Sequence, residues 1–260
     1  MTAPVIELRQ TQLRFGSTVA LDTPTLRLGP GLTAVLGRNG SGKSTLARLL
    51  ATVWDPSQGV VMVDGVALVD PPSRLHLRRR LGYVAQQNGL PQRMRVADYC
   101  DYVGVLKEIS PQRTRLRWTH WVLAQVGLLD RAGDRIKTLS GGMQRRLAIA
   151  QALLGGPDVL ILDEPDASLD PEQRARIRTI VTHDPDRTTV AMTHHPDELA
   201  GGADRVLVLD AGRIVYDGTP GQLLQRTPSR TLEAGFRSVL PAVVNPAPGR
   251  PPPPHRHMPG

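Results

Sequence analysis

The sequence predicts an α/β fold, and three observations support this prediction. A glycine-rich loop at residues 37–45 lies directly between an apolar run and a second run with helical character. Buried strands are indicated at residues 159–162, where the apolar run is unbroken, and at residues 188–193. Residues 95–155 instead carry apolar side chains at helical spacing, so we expect a helical segment inserted between strands.

Composition limits the possible functions. The 260-residue chain has a net charge of +8, but its arginines are scattered, and the single run, residues 78–80, has no aromatic side chains between its members. We therefore favour a general preference for arginine over a nucleic-acid partner. The sequence has no run of eighteen apolar residues and opens without a signal-peptide pattern, so we expect no membrane span of its own. A single cysteine, Cys100, suits a cytoplasmic protein.

Residues 5–36 predict short antiparallel strands separated by turn residues such as Gly16-Ser17. Phe15, one of only two phenylalanines, precedes this turn. An aromatic side chain upstream of a phosphate-binding loop can pack in the core or stack on a nucleotide base, and the pattern alone leaves both possibilities open.

The loop at residues 37–45 matches the pattern Gly-x-x-x-x-Gly-Lys-Ser/Thr. Glycines allow backbone N–H groups to curl around a triphosphate, and the helix that follows directs its positive end at the same anion. We expect Lys43 to reach the β- and γ-phosphates and Ser44 to ligate Mg²⁺. The residues predicted to line the nucleotide site are Gly37, Arg38, Asn39, Gly40, Ser41, Gly42, Lys43, Ser44 and Thr45.

The chain then returns to strand candidates. Residues 60–63 end in Asp64-Gly65, which is typical of a hairpin turn, and residues 81–85 form another candidate strand. Gln86 follows this strand, and an amide at such a position either ligates a metal and orients water or is simply solvated.

The helical segment is predicted to contain helices at residues 96–107, 113–127 and 143–154. We expect the face that carries Trp118 and Trp121 to lie in the core. Ser140 is a strong N-cap for the third helix, and the two glycines after it create a second surface suited to an anion. One nucleotide does not need two such surfaces from the same chain.

Two later strands end in residues that suit phosphate chemistry. Asp163-Glu164 follows the buried run at 159–162, and paired acids there suit magnesium binding and water activation. Adjacent strand residues point to opposite sides, so the two carboxylates should have different roles. His194-His195 follows the strand at 188–193, where a histidine can either sense a γ-phosphate or be exposed.

The end of the chain predicts a helix from about 171 to 181, a hairpin at 205–215 and a short helix at 219–224. We expect residues 1–225 to form the folded domain. Residues 226–260 are rich in proline toward the end and are predicted to be a disordered tail.

Taken together, the chain resembles the ATP-binding subunits of ABC transporters over about residues 5–225. The phosphate loop and Asp163 occur in many nucleotide-binding proteins, but residues 139–144, Leu-Ser-Gly-Gly-Met-Gln, resemble the ABC signature and lie about twenty residues before Asp163. The resemblance implies a P-loop NTPase core with a RecA-like mixed sheet. It also implies an N-terminal antiparallel β subdomain and an inserted α-helical signature subdomain at about 95–155.

The resemblance also implies roles for individual residues. Phe15 would stack on adenine, and Gln86 would touch Mg²⁺ and couple the site to a membrane partner. Asp163 would be a magnesium ligand, and Glu164 the general base that polarises the attacking water. His194 is preferred to its neighbour as the switch histidine.

In the family that the chain resembles, two ATPase subunits face head to tail, and each ATP lies between one subunit's phosphate loop and the other's signature. The residues that would act on the partner's ATP are Ser140, Gly141, Gly142, Met143, Gln144 and Asp170. Two positions depart from the usual pattern, since Met143 replaces glutamine and Asp166 replaces threonine.

The resemblance implies an ATP-hydrolysing subunit at the cytoplasmic face of the cell membrane, closest to the drug and antibiotic exporter branch. Its partners would be integral membrane permease subunits and a second ATPase subunit, either identical or a paralogue, and no nucleic acid is expected. The alternative is a soluble ABC ATPase acting on nucleic acid, the ribosome or a cluster-assembly scaffold. A single cassette and the lack of a cysteine set argue against several of these.

Overall fold

The computed structural model describes residues 3–87, 89–182, 184 and 186–241, and the strands in this part of the chain form two sheets. The strands are β1 (Ile6–Phe15), β2 (Thr18–Leu28), β3 (Gly31–Leu36), β4 (Gln58–Val63), β5 (Val66–Ala67), β6 (Leu81–Val84), β7 (Val159–Asp163), β8 (Thr188–Thr193), β9 (Arg205–Asp210) and β10 (Arg213–Gly218).

The first sheet is antiparallel with the order β2-β1-β4-β5, which confirms the predicted N-terminal antiparallel subdomain. Strand β1 is continuous, and its pairing with β4 shifts register between Arg9 and Gln12, where Gln10 has a φ of +46°. The turn between β4 and β5 has φ of +51° at Asp64 and +80° at Gly65, as a two-residue type I′ hairpin requires.

The second sheet has the order β10-β9-β3-β8-β7-β6. Its strands β9, β3, β8, β7 and β6 run parallel, and β10 pairs antiparallel with β9 at one edge. Strands β7 and β8 are buried along their whole length, as expected for strands covered on both faces. Because the strands are parallel, the segments that follow β3, β6, β7 and β8 meet at one edge of the sheet, where open α/β sheets bind ligands.

The helices are α1 (Lys43–Leu50), α2 (Pro71–Arg80), α3 (Val96–Leu106), α4 (Gln112–Gln125), α5 (Gly141–Leu153), α6 (Pro171–Thr182), α7 (Pro196–Leu199), α8 (Pro220–Leu224) and α9 (Leu232–Val239). Short 3₁₀ turns occur at Leu129–Arg131, Ile136–Thr138 and Ala200–Gly202. Among the residues described, no helix combines the length and apolar content that a bilayer crossing requires.

Helices α3, α4 and α5 pack together between β6 and β7 in the chain, around buried side chains that include Cys100, Leu123 and Leu147. The expectation that the tryptophan face of α4 lies in the core holds for Trp118, which is half-buried and packs against this cluster, but is wrong for Trp121. Trp121 is 46% exposed, and its ring meets that of Trp118 edge-on at 5.4 Å. Val122, next to Trp121, and Leu123 are buried, so the apolar periodicity identified the helix and most of its buried face but misplaced Trp121.

The prediction of disorder from residue 226 onward is wrong for residues 232–241. The Thr231 hydroxyl caps α9 by accepting a hydrogen bond from the Ala234 N–H at 3.2 Å. Leu232, Phe236 and Leu240 recur every four residues and are buried against side chains of β9 such as Val208. The apolar face of α9 therefore covers one face of the second sheet. The remainder of the predicted tail, residues 242–260, lies outside the described residues.

Candidate nucleotide site

An open cleft of about 500 Å³ lies at the edge of the second sheet where the parallel strands end. It is lined by Thr18, Val19, Ala20, Asn39, Gly40, Gly42, Lys43, Ser44, Thr45, Gln86, Glu164, Ala211 and Gly212. The phosphate loop forms one wall, and the segments after β6 and β7 contribute Gln86 and Glu164 to the same space.

The conformation of the phosphate loop requires glycine at two positions. Gly42 has a φ of +105°, in the left-handed region, and a Cβ there would lie 2.8 Å from the Ala20 carbonyl oxygen. A Cβ at Gly37 would lie 2.6 Å from the Leu209 carbonyl oxygen. The loop therefore packs backbone against backbone, and α1 begins directly after it with its positive end at the cleft.

Lys43 is buried, and its ammonium group lies inside the loop. Nζ donates to the carbonyl oxygens of Gly37 at 2.7 Å and Arg38 at 3.0 Å. Burial lowers the pKa of Lys43, and the charges of Glu164 and Asp163 oppose that effect. The site thus places a cation between the loop carbonyls and two carboxylates, in position for a ligand with several negative charges.

Oxygen atoms from three segments come together next to Lys43. The Ser44 hydroxyl donates to Gln86 Oε1 at 3.4 Å, and Gln86 Nε2 donates to Glu164 Oε2 at 3.4 Å. Asp163 is fully buried, and within the described part of the chain neither of its carboxylate oxygens has a partner at hydrogen-bonding geometry. Burial raises the pKa of Asp163, an effect that the nearby Ser44 hydroxyl opposes. Because Mg²⁺ prefers oxygen ligands, the residues present fit this ion.

Glu164 is held in a specific orientation by its backbone and by a histidine. Its φ is +54°, a left-handed conformation that costs a non-glycine residue about 1–2 kcal/mol. Its N–H donates to the Met192 carbonyl oxygen at 2.9 Å, and its carboxylate Oε1 lies 3.2 Å from His194 Nδ1. The His195 ring contacts the His194 ring, with the centroids 3.9 Å apart and the ring planes tilted by 43°. The structure therefore places His194, of the two histidines, beside Glu164.

The sequence interpretation missed Arg145, a residue of α5 that is only 4% exposed. Its guanidinium donates to the carbonyl oxygens of Ala85 at 2.6 Å and Gln86 at 3.3 Å, and also to those of Asp163 and Glu164. Arginine is rarely buried without paired partners, so nothing in the local pattern identified this one.

Phe15 is not among the residues that line the cleft. Its ring, 49% exposed, contacts Trp54 edge-on, with the ring centroids 5.0 Å apart. The Arg48 guanidinium lies over the Trp54 ring at 4.6 Å from its centroid. The role of Phe15 as a base-stacking residue stays a prediction.

The signature residues are also outside the cleft lining. Ser140 caps α5, as predicted, and its hydroxyl oxygen accepts a hydrogen bond from the Met143 N–H at 3.3 Å. Gln144 Nε2 donates to the Leu139 carbonyl oxygen at 3.1 Å, and Asp170 Oδ1 accepts from the Gln173 N–H at 2.8 Å. Of the predicted site residues, those that line the cleft are Asn39, Gly40, Gly42, Lys43, Ser44, Thr45, Gln86 and Glu164, whereas Gly37, Arg38, Ser41, residues 140–144 and Asp170 do not. Asp163 and His194 are also outside the lining, but they adjoin Glu164, the first as its neighbour in the chain and the second through Nδ1.

A family model described as ABC transporter matches residues 21–167, more than half of the chain and the span that holds the phosphate loop, the signature and Asp163-Glu164. The chain belongs to the ABC transporter family. ATPase cassettes of this family bind ATP, with Mg²⁺ as the usual partner ion, and the ABC ATPase assignment, its fold class and both cofactors are confirmed.

The relatives carry names that refer to import in several cases and to drug resistance in another. The Phosphonates import ATP-binding protein PhnC of Thiobacillus denitrificans is 39% identical over 202 residues, covering 74% of this chain and 77% of that protein. The Daunorubicin resistance ATP-binding protein DrrA3 of Streptomyces coeruleorubidus is 33% identical over 244 residues, covering 92% and 76%. Other relatives carry names for import of nickel, methionine and molybdenum.

Among solved structures, cbiO1 from Clostridium perfringens, described as part of the ABC transporter complex cbiONQ, superimposes with a TM-score of 0.73 at 26% identity. The match covers 90% of this chain and 98% of that one. The chain is thus the ATP-binding subunit of an ABC transporter and an ATPase.

Proposed function

We propose that this subunit hydrolyses ATP at the cleft described above and thereby energises an exporter whose membrane-spanning subunits are separate chains. The observation that carries the proposal is the position of Glu164, whose carboxylate faces the cleft and is held by Gln86 and His194. A carboxylate that is oriented by neighbours and adjacent to a phosphate-binding loop suits the activation of water for phosphoryl transfer.

Each residue of the cleft then has a defined role. The phosphate loop N–H groups and Lys43 bind the β- and γ-phosphates, and Glu164 polarises the water that attacks the γ-phosphorus in line. His194 orients Glu164 and contacts the γ-phosphate side of the site. Oxygen atoms of Ser44, Gln86 and Asp163 would hold Mg²⁺, which when bound neutralises charge on the phosphate oxygens.

The signature residues complete the site of a second ATPase subunit, either identical or a paralogue. Ser140 caps α5, but neither Ser140 nor the other signature residues line the cleft of their own chain. The N–H groups at the start of α5 form an anion-binding surface that a γ-phosphate from a facing subunit can occupy. Asp170 belongs to the same trans surface, and each site is assembled by two chains.

Export is supported by the similarity to the daunorubicin resistance protein, which extends over 92% of this chain. Import is the second candidate direction, supported by the phosphonate import relative at 39% identity over a shorter span. In both cases integral membrane permease subunits hold the ATPase at the cytoplasmic face of the cell membrane and select the cargo.

Replacing Glu164 with glutamine tests the catalytic assignment. We expect Glu164→Gln to reduce ATP turnover by at least 100-fold, because it removes the proton acceptor, while ATP binding stays within a few fold of the parent. Glu233→Gln is the matched control, since Glu233 lies on α9 and pairs with Arg237. Phosphate release and ATP binding are measured for both variants. Turnover by Glu164→Gln at the parent rate would show that Glu164 is not the base.

The direction of transport is tested by expressing the subunit with its membrane subunits and preparing inside-out vesicles. We expect ATP-dependent accumulation of daunorubicin in these vesicles, and none with Glu164→Gln. ATP-dependent uptake of a phosphonate by right-side-out vesicles loaded with ATP, together with no accumulation of daunorubicin, would replace export by import.

A further inference from the structure

Three segments of the cleft come from different strands and need a common support. Gln86 lies after β6, Asp163 ends β7 with Glu164 directly after it, and His194 follows β8. The described structure joins them through two buried charged side chains, Arg145 and Asp166, for which the proposed reaction has no role.

Arg145 connects the first two segments. Its Nη1 donates to the carbonyl oxygens of Ala85 and Gln86, and its Nη2 donates to those of Asp163 and Glu164. A planar guanidinium can contact both strand ends at once, whereas a lysine ammonium is a single point donor. Arg145 therefore fixes the distance between the Gln86 segment and the Glu164 segment.

Asp166 connects the third segment. The residue is 4% exposed, and its Oδ2 accepts a hydrogen bond from the Thr193 hydroxyl at 3.2 Å. The same Thr193 oxygen accepts from the His195 N–H at 3.0 Å. Asp166 thus ties the turn after Glu164 to the loop that carries His194.

Asp166 also contributes to the compensation of the Arg145 charge. Burial lowers the pKa of Arg145, and the charges of Asp163, Asp166 and Glu164 oppose this. A buried arginine without a counter-charge would be strongly destabilising. Of the three carboxylates, Asp163 and Glu164 face ion binding and water activation, so Asp166 is the one whose charge serves Arg145 throughout the reaction.

We propose that Arg145 and Asp166 are positioning residues that hold the Gln86 segment, the Asp163-Glu164 turn and the His194 loop as one rigid unit on helix α5. The inference rests on the proposed function of Glu164. It explains why an aspartate stands at position 166, where the sequence resemblance leads us to expect threonine. The arginine of α5 and the aspartate of the turn work as a pair.

The test compares Arg145→Lys and Asp166→Asn with a matched buried arginine. Arg187 is also buried and donates to the carbonyl oxygens of Ile180 and Val181, but it lies before β8, away from the cleft. We expect Arg145→Lys to lower kcat about 10- to 100-fold with ATP affinity changed less than threefold, because Glu164 is misplaced while the phosphate loop is intact. Asp166→Asn should lower kcat about 5- to 10-fold, and Arg187→Lys less than twofold.

Two further measurements separate positioning from general damage. The double variant should be no slower than Arg145→Lys alone, since the two residues act as one unit. Amide hydrogen exchange should rise together at residues 84–87, 163–168 and 193–195 in both single variants. A parallel loss of ATP affinity and kcat in Arg145→Lys, or a kcat equal to that of Arg187→Lys, would overturn the inference.

Glu164→Gln, measured in the same assay, identifies which proposal fails. If it turns over normally, the proposed function is wrong. If it is inactive while Arg145→Lys and Asp166→Asn retain the parent kcat, only the positioning role is wrong. Should Arg145→Lys not fold, as judged by its melting transition, the isosteric Asp166→Asn carries the same prediction, and an unchanged kcat and exchange pattern there refutes it.

Discussion

The exposed ring of Phe15 offers a direct test of how the base of ATP is recognised. Stacking of a base on an aromatic side chain is worth about 1–3 kcal/mol, so Phe15→Ala should weaken ATP binding by roughly 5- to 150-fold. Trp54 holds this ring by an edge-on contact at 5.0 Å, which contributes about 0.5–1.5 kcal/mol. Trp54→Ala should therefore weaken ATP binding by about 2- to 10-fold, acting through Phe15.

The assay is calorimetric binding of Mg-ATP and of inorganic tripolyphosphate to variants that also carry Glu164→Gln, which suppresses turnover. Phe15→Ala should leave tripolyphosphate binding unchanged, because the phosphate loop is intact. On the Phe15→Ala background, Trp54→Ala should have no further effect on ATP affinity. Trp121→Ala is the control, since Trp121 is also exposed and also meets another aromatic ring edge-on.

Two outcomes would refute this reasoning. Parent-like ATP affinity in Phe15→Ala would show that the ring does not contact the base. An equal loss of ATP and tripolyphosphate affinity would show that the substitution disturbs the loop instead. If Trp54→Ala weakened ATP binding equally with and without Phe15, then Trp54 would act independently of the ring that it contacts.

Two predictions concern stability. Burial lowers the pKa of Lys107 to about 8, below the value of 10.5 expected in the unfolded chain. Between pH 8 and 10.5 the unfolded chain therefore binds more protons at this residue than the folded chain does. The contribution of Lys107 to the free energy of unfolding consequently rises with pH in that window. In urea titrations, the free energy of unfolding of the parent minus that of Lys107→Met should increase by about 3 kcal/mol from pH 7.5 to 10.5. The control variant Lys137→Met should show no such dependence on pH. Phe236→Ala should lower the free energy of unfolding by about 3 kcal/mol, because the Phe236 ring is buried where α9 packs on β9. If urea denaturation gives the same free energy of unfolding for this variant and the parent, the packing described for α9 is wrong.

The elements that could be predicted from sequence are those whose own residues specify them. The phosphate loop needs its glycines for local backbone reasons, and the Asp64-Gly65 turn needs positive φ at both positions. Strand β7 is an unbroken apolar run because both of its faces are buried. Ser140 caps α5 through a contact three residues away. In each case the determining interaction is short in sequence.

The features that could not be predicted depend on distant partners. Helix α2 buries only Leu77, so it has almost no apolar periodicity, although Asp70 and Pro71 give it a sound N-terminus. Helix α9 is recognisable only once the face of β9 that it covers is known. The acceptors of Arg145 lie 18 to 60 residues away in the chain, and a helical arginine by itself indicates an exposed side chain.

The same helix serves two sites in the proposed dimer. Ser140 at the start of α5 lies outside the cleft of its own chain, whereas Arg145, buried further along the helix, donates to the backbone carbonyl of Glu164, a residue of that cleft. Arg145 lies five positions after Ser140 in the chain, which corresponds to about 7.5 Å along a single rigid helix. A displacement of the α5 N-terminus by a partner's ATP would therefore move the support of this chain's own base. In the proposed dimer, such a connection would make the two sites interdependent through hydrogen bonds to backbone atoms, which no motif in the sequence records.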